Sequence, residues 1–303
     1  MDVAITGASG LIGRALSTSL RSDGHRVLRF QRGGVTAGDT IAWDPDAGRI
    51  DAPGLEGLDA VVHLAGEGIG ERRWTDEQKR RIRESRVRGT AVLAAAVASR
   101  ERKPRVLVSA SAIGYYGDRG SEVLTEQSAA GNDFLAEVCI AWEGEAAPVT
   151  EAGVRTVFTR SGIVLDSHGG ALKQMLVPFK LGIGGRQGSG KQWMSWIALA
   201  DEVGAIRFAI ENDALSGPVN LVAPNPVTNA EFAATLGRVL HRPAFLPTPL
   251  LPLKLRFGAE LVETLLMVSQ RVAPAQLEAA GYQFRFESLE AALRAVVRTE
   301  KTD

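Results

Sequence analysis

A glycine-rich turn between an apolar strand and a helix, a regular beat of short apolar runs and longer helical segments, and a glycine- and proline-rich second half together predict an α/β protein. The expected architecture is a Rossmann-type doubly wound parallel sheet with a smaller α+β lobe capping a substrate cleft. The sheet domain is expected over residues 1–165, with 197–222 returning to it, and the capping lobe over 166–303.

The elements follow in order. Val3–Ile5, Val27–Phe30, Ala60–Leu64 and Val106–Ser109 are continuously apolar rather than alternating, the mark of parallel strands buried on both faces. A helix starts at Leu11, and another near Thr75, where "TDEQ" spells a capping box with Thr75 as cap and Gln78 at N3. The charged stretch "EQKRRIRESRVR" in this helix is read as a solvated face. One long helix is expected from Phe134 to Glu151, then a strand at Thr156–Arg160. In the second half a short helix spans Leu172–Phe179, others begin near Asp201 and at Thr228 ("TNAE"), and Val219–Val222 forms a strand. The prolines of "AFLPTPLLPLKL" argue against a regular helix there, and "APAQLEAAGYQFRFESLEAALRAVV" reads as helix, short alternating strand, helix.

Composition narrows the function classes. Hydrophobic residues make up 45% of the 303 and charged ones 23%, and Lys plus Arg equals Asp plus Glu at 35 each. No net field favours nucleic acid or anionic lipid, and the longest apolar run, Ala91–Ala98, is too short to span a bilayer. Cys139 is the only cysteine, so no internal disulfide forms; it lies in an apolar run and is expected to be buried and inert. His25, His63, His168 and His241 stand far apart, so no metal site is expected. With the first strand at residue 3, a targeting segment has no room and a cytoplasmic location is expected. A small-molecule substrate is the expected partner, and the oligomeric state stays open.

The turn "TGASGLIGR" has the context that a dinucleotide cradle requires: a strand before it and a helix after it. Gly7, Gly10 and Gly13 permit a tight turn and close approach of a pyrophosphate, while Ser9, Leu11, Ile12 and Arg14 surround the helix N-terminus. No acidic residue occurs from Gly24 through Gly38, where a carboxylate would hold a free ribose 2′-hydroxyl. Arg29, Gln31 and Arg32 stand there instead, and a 2′-phosphate calls for such cations. Arg32 is the first candidate and Arg14 the second, so NADP(H) is the expected cofactor.

"GASGLIG", "VVHLAG", "VRGTAVLAAA" and "VSASAIGYYG" together resemble an extended short-chain dehydrogenase/reductase. The likeness continues through "TRSGIVL" and "WMSWIALADEV", and "QRVAPAQLEAAGYQFRFESLEAAL" is similar to the C-terminal segment of one atypical, epimerase-like branch. The resemblance implies further dinucleotide contacts from Leu64, Ala65, Gly66, Ser109, Arg160, Gly162 and Ile163. It also implies a Tyr and a Lys four residues apart on the helix after the "YYG" loop, working as a proton relay. "NDFLAEVCIAWEGEA" holds neither.

Three polar groups remain for chemistry near that place. Ser111 (or Ser109) stands where the family's substrate-orienting serine is expected, and Tyr116 or Tyr115 could supply a proton. The alternative is that one tyrosine packs in the core while the other caps the cleft. "GGRQGSGKQW" mimics a triphosphate loop but has Gln192 where Ser or Thr would bind magnesium. It is read as a loop over the cleft, with Gln187, Lys191, Trp193 and Trp196 as candidate substrate contacts. Two functions stay open: an NADP(H)-dependent oxidoreductase or epimerase of a small carbonyl, alcohol or sugar-like substrate, and a non-catalytic NADP(H)-binding sensor.

Overall fold

The computed structural model describes residues 1–33 and 35–299. The first half runs β1 (Asp2–Thr6), α1 (Leu11–Ser22), β2 (Arg26–Arg32), β3 (Thr40–Asp44), β4 (Arg49–Ile50), β5 (Ala60–His63), α2 (Asp76–Ala98) and β6 (Val106–Ala112). It continues with β7 (Val123–Leu124), α3 (Phe134–Gly144), α4 (Ala147–Glu151), β8 (Arg155–Ser161) and β9 (Ile163–Leu165). The second half contains α5 (Gly170–Lys180), β10 (Trp193–Met194), β11 (Trp196–Ala198), α6 (Leu199–Glu211), β12 (Gly217–Leu221), β13 (Val227–Thr228) and α7 (Asn229–Leu240). It ends with α8 (Leu250–Phe257), α9 (Ala259–Leu261), β14 (Arg271–Val272), α10 (Ala275–Ala279) and α11 (Leu289–Thr299).

Eight strands form the main sheet in the order β12-β8-β6-β5-β1-β2-β3-β4, and only the β3–β4 pair is antiparallel. This is the doubly wound α/β fold. The strand order reverses between β1 and β5, which opens a crevice at their carboxyl ends. One apolar layer (Val3, Ile5, Leu16, Leu20, Ile206) lies between the sheet and α1 and α6. The opposite layer (Leu28, Trp43, Leu93, Val97, Leu107) lies beneath α2 and α4. A separate core around Leu172, Phe179, Trp196, Phe232 and Leu293 holds the lobe together.

Local chemistry explains where the elements depart from the expected ones. The helix expected from Phe134 to Glu151 breaks after Gly144, and a new short helix begins with Pro148 in its first turn. Proline has no N–H for the ladder and clashes with the turn before it, so it restarts a helix better than it continues one. The same tolerance allows α8 to form where proline argued against a helix: Pro252 falls in its first turn, after Leu250 and Leu251. Strands β3 and β4, absent from the expectation, extend the sheet because Ile41 and Trp43 alternate inward. Thr75 caps α2 by accepting the Gln78 N–H, but the Gln78 side chain turns to Glu67 instead of closing the box. At Thr228 both arms of the box are made.

No strand forms at 282–286, where alternation suggested one. The backbone N–H groups of Arg285 and Phe286 donate instead to the Asp201 carboxylate at 2.7 and 3.0 Å, and the Tyr282 hydroxyl donates to the Asp201 carbonyl at 3.0 Å. One buried carboxylate thus takes the place of a neighbouring strand and fastens the C-terminal segment to α6. Asp201→Ala would leave two N–H groups without acceptors. We expect a loss of about 2–4 kcal/mol of unfolding free energy in urea titration. A loss below about 0.5 kcal/mol would mean that this seam does not depend on Asp201.

Candidate functional site

The glycine turn separates packing requirements from open space. Gly7 has φ +64, and a Cβ there would lie 2.8 Å from the Leu64 backbone; one on Gly13 would lie 2.3 Å from the Gly7 carbonyl oxygen. Both glycines are demanded by the turn itself. A Cβ on Gly10 would meet only the Gly7 oxygen, at 3.2 Å, and its φ of −73 suits any residue. The fold alone does not require glycine at position 10, but close approach of a ligand would. No side chain caps α1 and no acid stands in its first turn. Among the described residues, the N–H groups of Leu11, Ile12 and Gly13 have no protein acceptor. Such an uncapped N-terminus beside an open glycine fits a pyrophosphate.

The neighbouring loop is fixed by a chain of buried hydrogen bonds. Thr6 Oγ1 accepts from the Leu64 and Ala65 N–H groups at 3.0 and 3.2 Å. Both its lone pairs are then used, so its proton goes to His63 Nδ1 (2.7 Å), and His63 Nε2–H donates to Thr90 (3.1 Å). Burial pushes the His63 imidazole down to about 4, which keeps it neutral as this chain requires. Leu64, Ala65 and Gly66 are thereby held against Gly7.

At the end of β2, Arg29, Gln31 and Arg32 are all exposed, as is Arg14 on α1. Arg32 has one acidic neighbour from outside the stretch read in the sequence: Asp46, at 3.5 Å, with both side chains mostly in solvent. Such a pair is weak and leaves Arg32 able to exchange partners.

Where the missing relay was expected, α3 presents Phe134 and Val138 in one register or Val138 and Trp142 in the other, none of them able to relay a proton. A different network occupies the same end of β6. Arg160 grips Glu143 with two parallel bonds, Nε to Oε1 and Nη2 to Oε2, both 2.8 Å. Ser111 Oγ donates to Glu143 Oε1 at 2.6 Å. Arg160 Nη1 donates to the Tyr116 hydroxyl (3.1 Å), which donates to Asn220 Oδ1 (2.6 Å). The Arg160 guanidinium lies over the Tyr115 ring, 3.4 Å from its centroid.

Several expected roles change in this geometry. Tyr116 is fully buried and its hydroxyl is committed, so it is a poor proton donor to a substrate. Tyr115 is half-buried, and its hydroxyl makes no hydrogen bond to the described residues. Arg160, buried against Glu143, serves the network rather than a cofactor phosphate. Ser109 is wholly buried with its hydroxyl unpartnered. Gly162 is needed by packing, since a Cβ there would lie 2.7 Å from the Ser195 carbonyl oxygen, and that same oxygen takes the Ile163 N–H. In the lobe, Trp196 is completely buried and bonded to the Asn225 carbonyl, so it is core and not a cleft wall. Trp193 is half-buried under Arg271, Gln187 uses its backbone N–H on Asn229, and Lys191 is exposed.

Two site residues were missed in the sequence. Glu143 was legible as the lone acid one helical repeat from Cys139 on the inward face of α3. Arg86 belongs to the run read as solvated, yet it shares a face with buried Ile82, Gly89 and Thr90. Its guanidinium lies 5.0 Å from the Trp142 ring and would stand 3.1–3.3 Å from a Cβ on Gly66. Cys139 is buried between these groups, its thiol pushed up to about 11 and therefore neutral.

No group of three or more potential metal ligands exists among the described residues, and no described helix is long and apolar enough to cross a membrane. Two surface depressions, of about 530 and 510 Å³, lie along α7 and beside the start of α11, away from the glycine turn. The switch-point crevice, not these depressions, carries the groups described above.

These features define a class: a doubly wound α/β protein whose switch-point cradle fits a dinucleotide. Residues 3–140 match the NAD dependent epimerase/dehydratase family, and residues 248–296 match a domain of unknown function, DUF1731. An epimerase family protein of Mycobacterium tuberculosis is 45% identical over 96% of both chains. The human epimerase family protein SDR39U1 is 38% identical, over 98% of this chain and 100% of that one. The chain belongs to this epimerase family, a branch of the extended short-chain dehydrogenases/reductases. A solved structure of human SDR39U1 with NADPH superimposes with a TM-score of 0.89, at 36% identity, covering 98% of this chain and 99% of that one. A nucleoside-diphosphate sugar epimerase of Corynebacterium glutamicum, 40% identical, gives a TM-score of 0.79; it is longer, and the match covers 57% of it.

Glu202, in the first turn of α6, adds a titration behind this site. It accepts from Ser161 Oγ at 2.6 Å, its other oxygen has no partner, and burial pushes it up to about 7. Because the folded value exceeds the unfolded one, its contribution to stability is complete below about pH 4.5 and is lost as pH rises through 7. Glu202→Gln should remove that loss. The variant is expected to gain up to about 3 kcal/mol on wild type between pH 5 and pH 8 in denaturant titrations. Parallel stability profiles would show that Glu202 does not titrate differently in the two states.

Proposed function

We propose that the chain is an NADP(H)-dependent oxidoreductase or epimerase of a small carbonyl, alcohol or sugar-like substrate, working in the cytoplasm. The observation that carries the catalytic reading is the Ser111–Glu143 hydrogen bond at the carboxyl end of β6. Because Ser111 gives its own proton to the carboxylate, its oxygen is an acceptor toward the cleft. A substrate hydroxyl would donate to Ser111 Oγ, and its proton would pass through Ser111 to Glu143 while Arg160 holds the carboxylate in place. The reverse passage returns a proton to an alkoxide. Tyr115, with its uncommitted hydroxyl, would orient the substrate oxygen from the other side.

Bound NADP(H) would supply hydride transfer. Gly10 and the N–H groups of Leu11, Ile12 and Gly13 would take the pyrophosphate, and Arg32 and Arg14 a 2′-phosphate. Support comes from the NADPH in the solved human relative and from the absence of a carboxylate at the end of β2. The sensor reading is the second one, favoured by a helix α3 that holds neither the tyrosine nor the lysine of the relay pair.

Cofactor choice is checked by fluorescence titration. NADPH should bind at least about tenfold tighter than NADH, with Arg32→Ala removing most of the difference. Gly10→Val should abolish binding of both while the protein stays folded. Equal affinities in wild type would sink the choice of NADP(H).

Catalysis is checked by single-turnover reduction of carbonyl compounds with NADPH. Ser111→Ala and Glu143→Gln should each slow it by about a hundredfold to ten-thousandfold, leaving NADPH affinity unchanged. Full activity in Ser111→Ala would refute the relay. Tight NADPH binding with no turnover of any compound would favour the sensor.

A further inference from the structure

Arg86 is the one site cation that the preceding roles leave unused. Glu143 and Arg160 neutralise each other, and Cys139 is held neutral by burial. Arg86 has no carboxylate within ion-pair distance among the described residues, although it is half-buried. Its Nη1 donates to the carbonyls of Glu67 (3.0 Å) and Ile82 (3.1 Å), which anchors the head group. Nε and Nη2 have no protein acceptor among the described residues. Those two nitrogens form the side-on fork of a guanidinium, two parallel N–H groups that match the two oxygens of a carboxylate or phosphate.

The surroundings suit a ligand. The head group lies by the Trp142 ring on one side and exposed Gly66 on the other, in the loop that His63 and Thr6 pin against the cradle. A side chain at position 66 would run into the guanidinium. Glu67 accepts from the Gln78 amide through Oε1 at 3.4 Å and acts on Arg86 through its charge, without an ion pair to the fork. An oriented, half-desolvated cation with its fork open is costly to keep unless an anion completes it.

We propose that Arg86 is a substrate-binding residue whose Nε–Nη2 fork receives an oxyanion, a carboxylate or phosphate, carried by the substrate. The site therefore selects acidic small molecules over their neutral analogues. This deepens the oxidoreductase reading and rests on it for the placing of the reacting carbon, but the anion site itself can be read without catalysis.

The test uses the full chain loaded with NADPH, titrated at constant ionic strength with pyruvate, inorganic phosphate and neutral methylglyoxal, followed by cofactor fluorescence. Pyruvate or phosphate should bind at least about tenfold tighter than methylglyoxal, and whichever of the two wins identifies the source of the oxyanion. Arg86→Gln should erase that advantage, Arg86→Lys should keep part of it, and both should hold NADPH as wild type does. Should Arg86→Gln misfold, the Arg86 Nε–H resonance of the wild-type protein gives the same answer by NMR. It should shift with the oxyanion and not with methylglyoxal, with or without NADPH. An unshifted resonance, equal affinities for acid and neutral probes, or loss of NADPH binding in a folded Arg86→Gln would overturn the proposal. Failure of NADPH to bind the wild type would instead overturn the oxidoreductase reading, and the NMR titration would still decide for or against the fork.

Discussion

The arrangement of the site depends on the ion pair between Glu143 and Arg160. The side chains are only 13% and 4% exposed, so both charges are largely removed from water. Desolvation of such a pair is repaid only when the geometry is good and the remaining donors are satisfied. Here they are: two parallel bonds join the pair, Ser111 takes a further carboxylate lone pair, and Tyr116 takes the third guanidinium nitrogen. Removing any member would strand a buried charge or dipole, so the ends of β6 and β8, the turn after β6, and α3 keep one mutual position.

The same network reaches the second half of the chain. Asn220 on β12 links Tyr116 to the Ala273 carbonyl, and Glu126 accepts the N–H groups of both Asn220 and Gln276. Gln270 donates to the carbonyls of Ile113 and Gly117, and Ser195 joins Gln270 to Val272. These polar bonds, together with an apolar cluster of Ile113, Tyr116, Leu124, Val222 and Val272, join the second half to the "YYG" turn. A seam built from directional bonds tolerates little sliding, which suits a cleft whose floor is the sheet and whose wall is the lobe.

The parts of the molecule set by local rules were readable from the residues. Apolar runs at Val3–Ile5 and Val106–Ser109 gave parallel central strands because their surroundings are apolar on both faces. The turn Gly7–Gly13 was readable because only glycine fits two of its positions and the third leaves open space at an uncapped helix N-terminus. What depended on long-range partners was not. Asp201 removed a strand expected at 282–286 by capturing its N–H groups from 84 residues away. Tyr116 looked like an active-site tyrosine until Asn220 and Arg160, both distant in sequence, took its hydroxyl. Glu143 and Arg86 were hidden for opposite reasons, one as an isolated acid at the end of a largely apolar helix and the other as one cation among many.

Those two residues bear on how a short-chain dehydrogenase/reductase fold can carry chemistry without its usual tyrosine and lysine. The ordinary arrangement puts the proton group and the cation on one helix, a turn apart. Here α3 keeps one charged group facing the site, Glu143, and its sign is negative. The cation beside the cradle loop comes from α2, through Arg86, and leans on Trp142 of α3. Exchanging a phenol near a cation for a serine on a carboxylate changes what the site offers a substrate oxygen. A phenol offers a proton, whereas Ser111 offers a lone pair, because its proton already belongs to Glu143. The open lone pair of Ser111 is thus matched to a hydroxyl donor rather than to a carbonyl oxygen, and that polarity comes from Glu143.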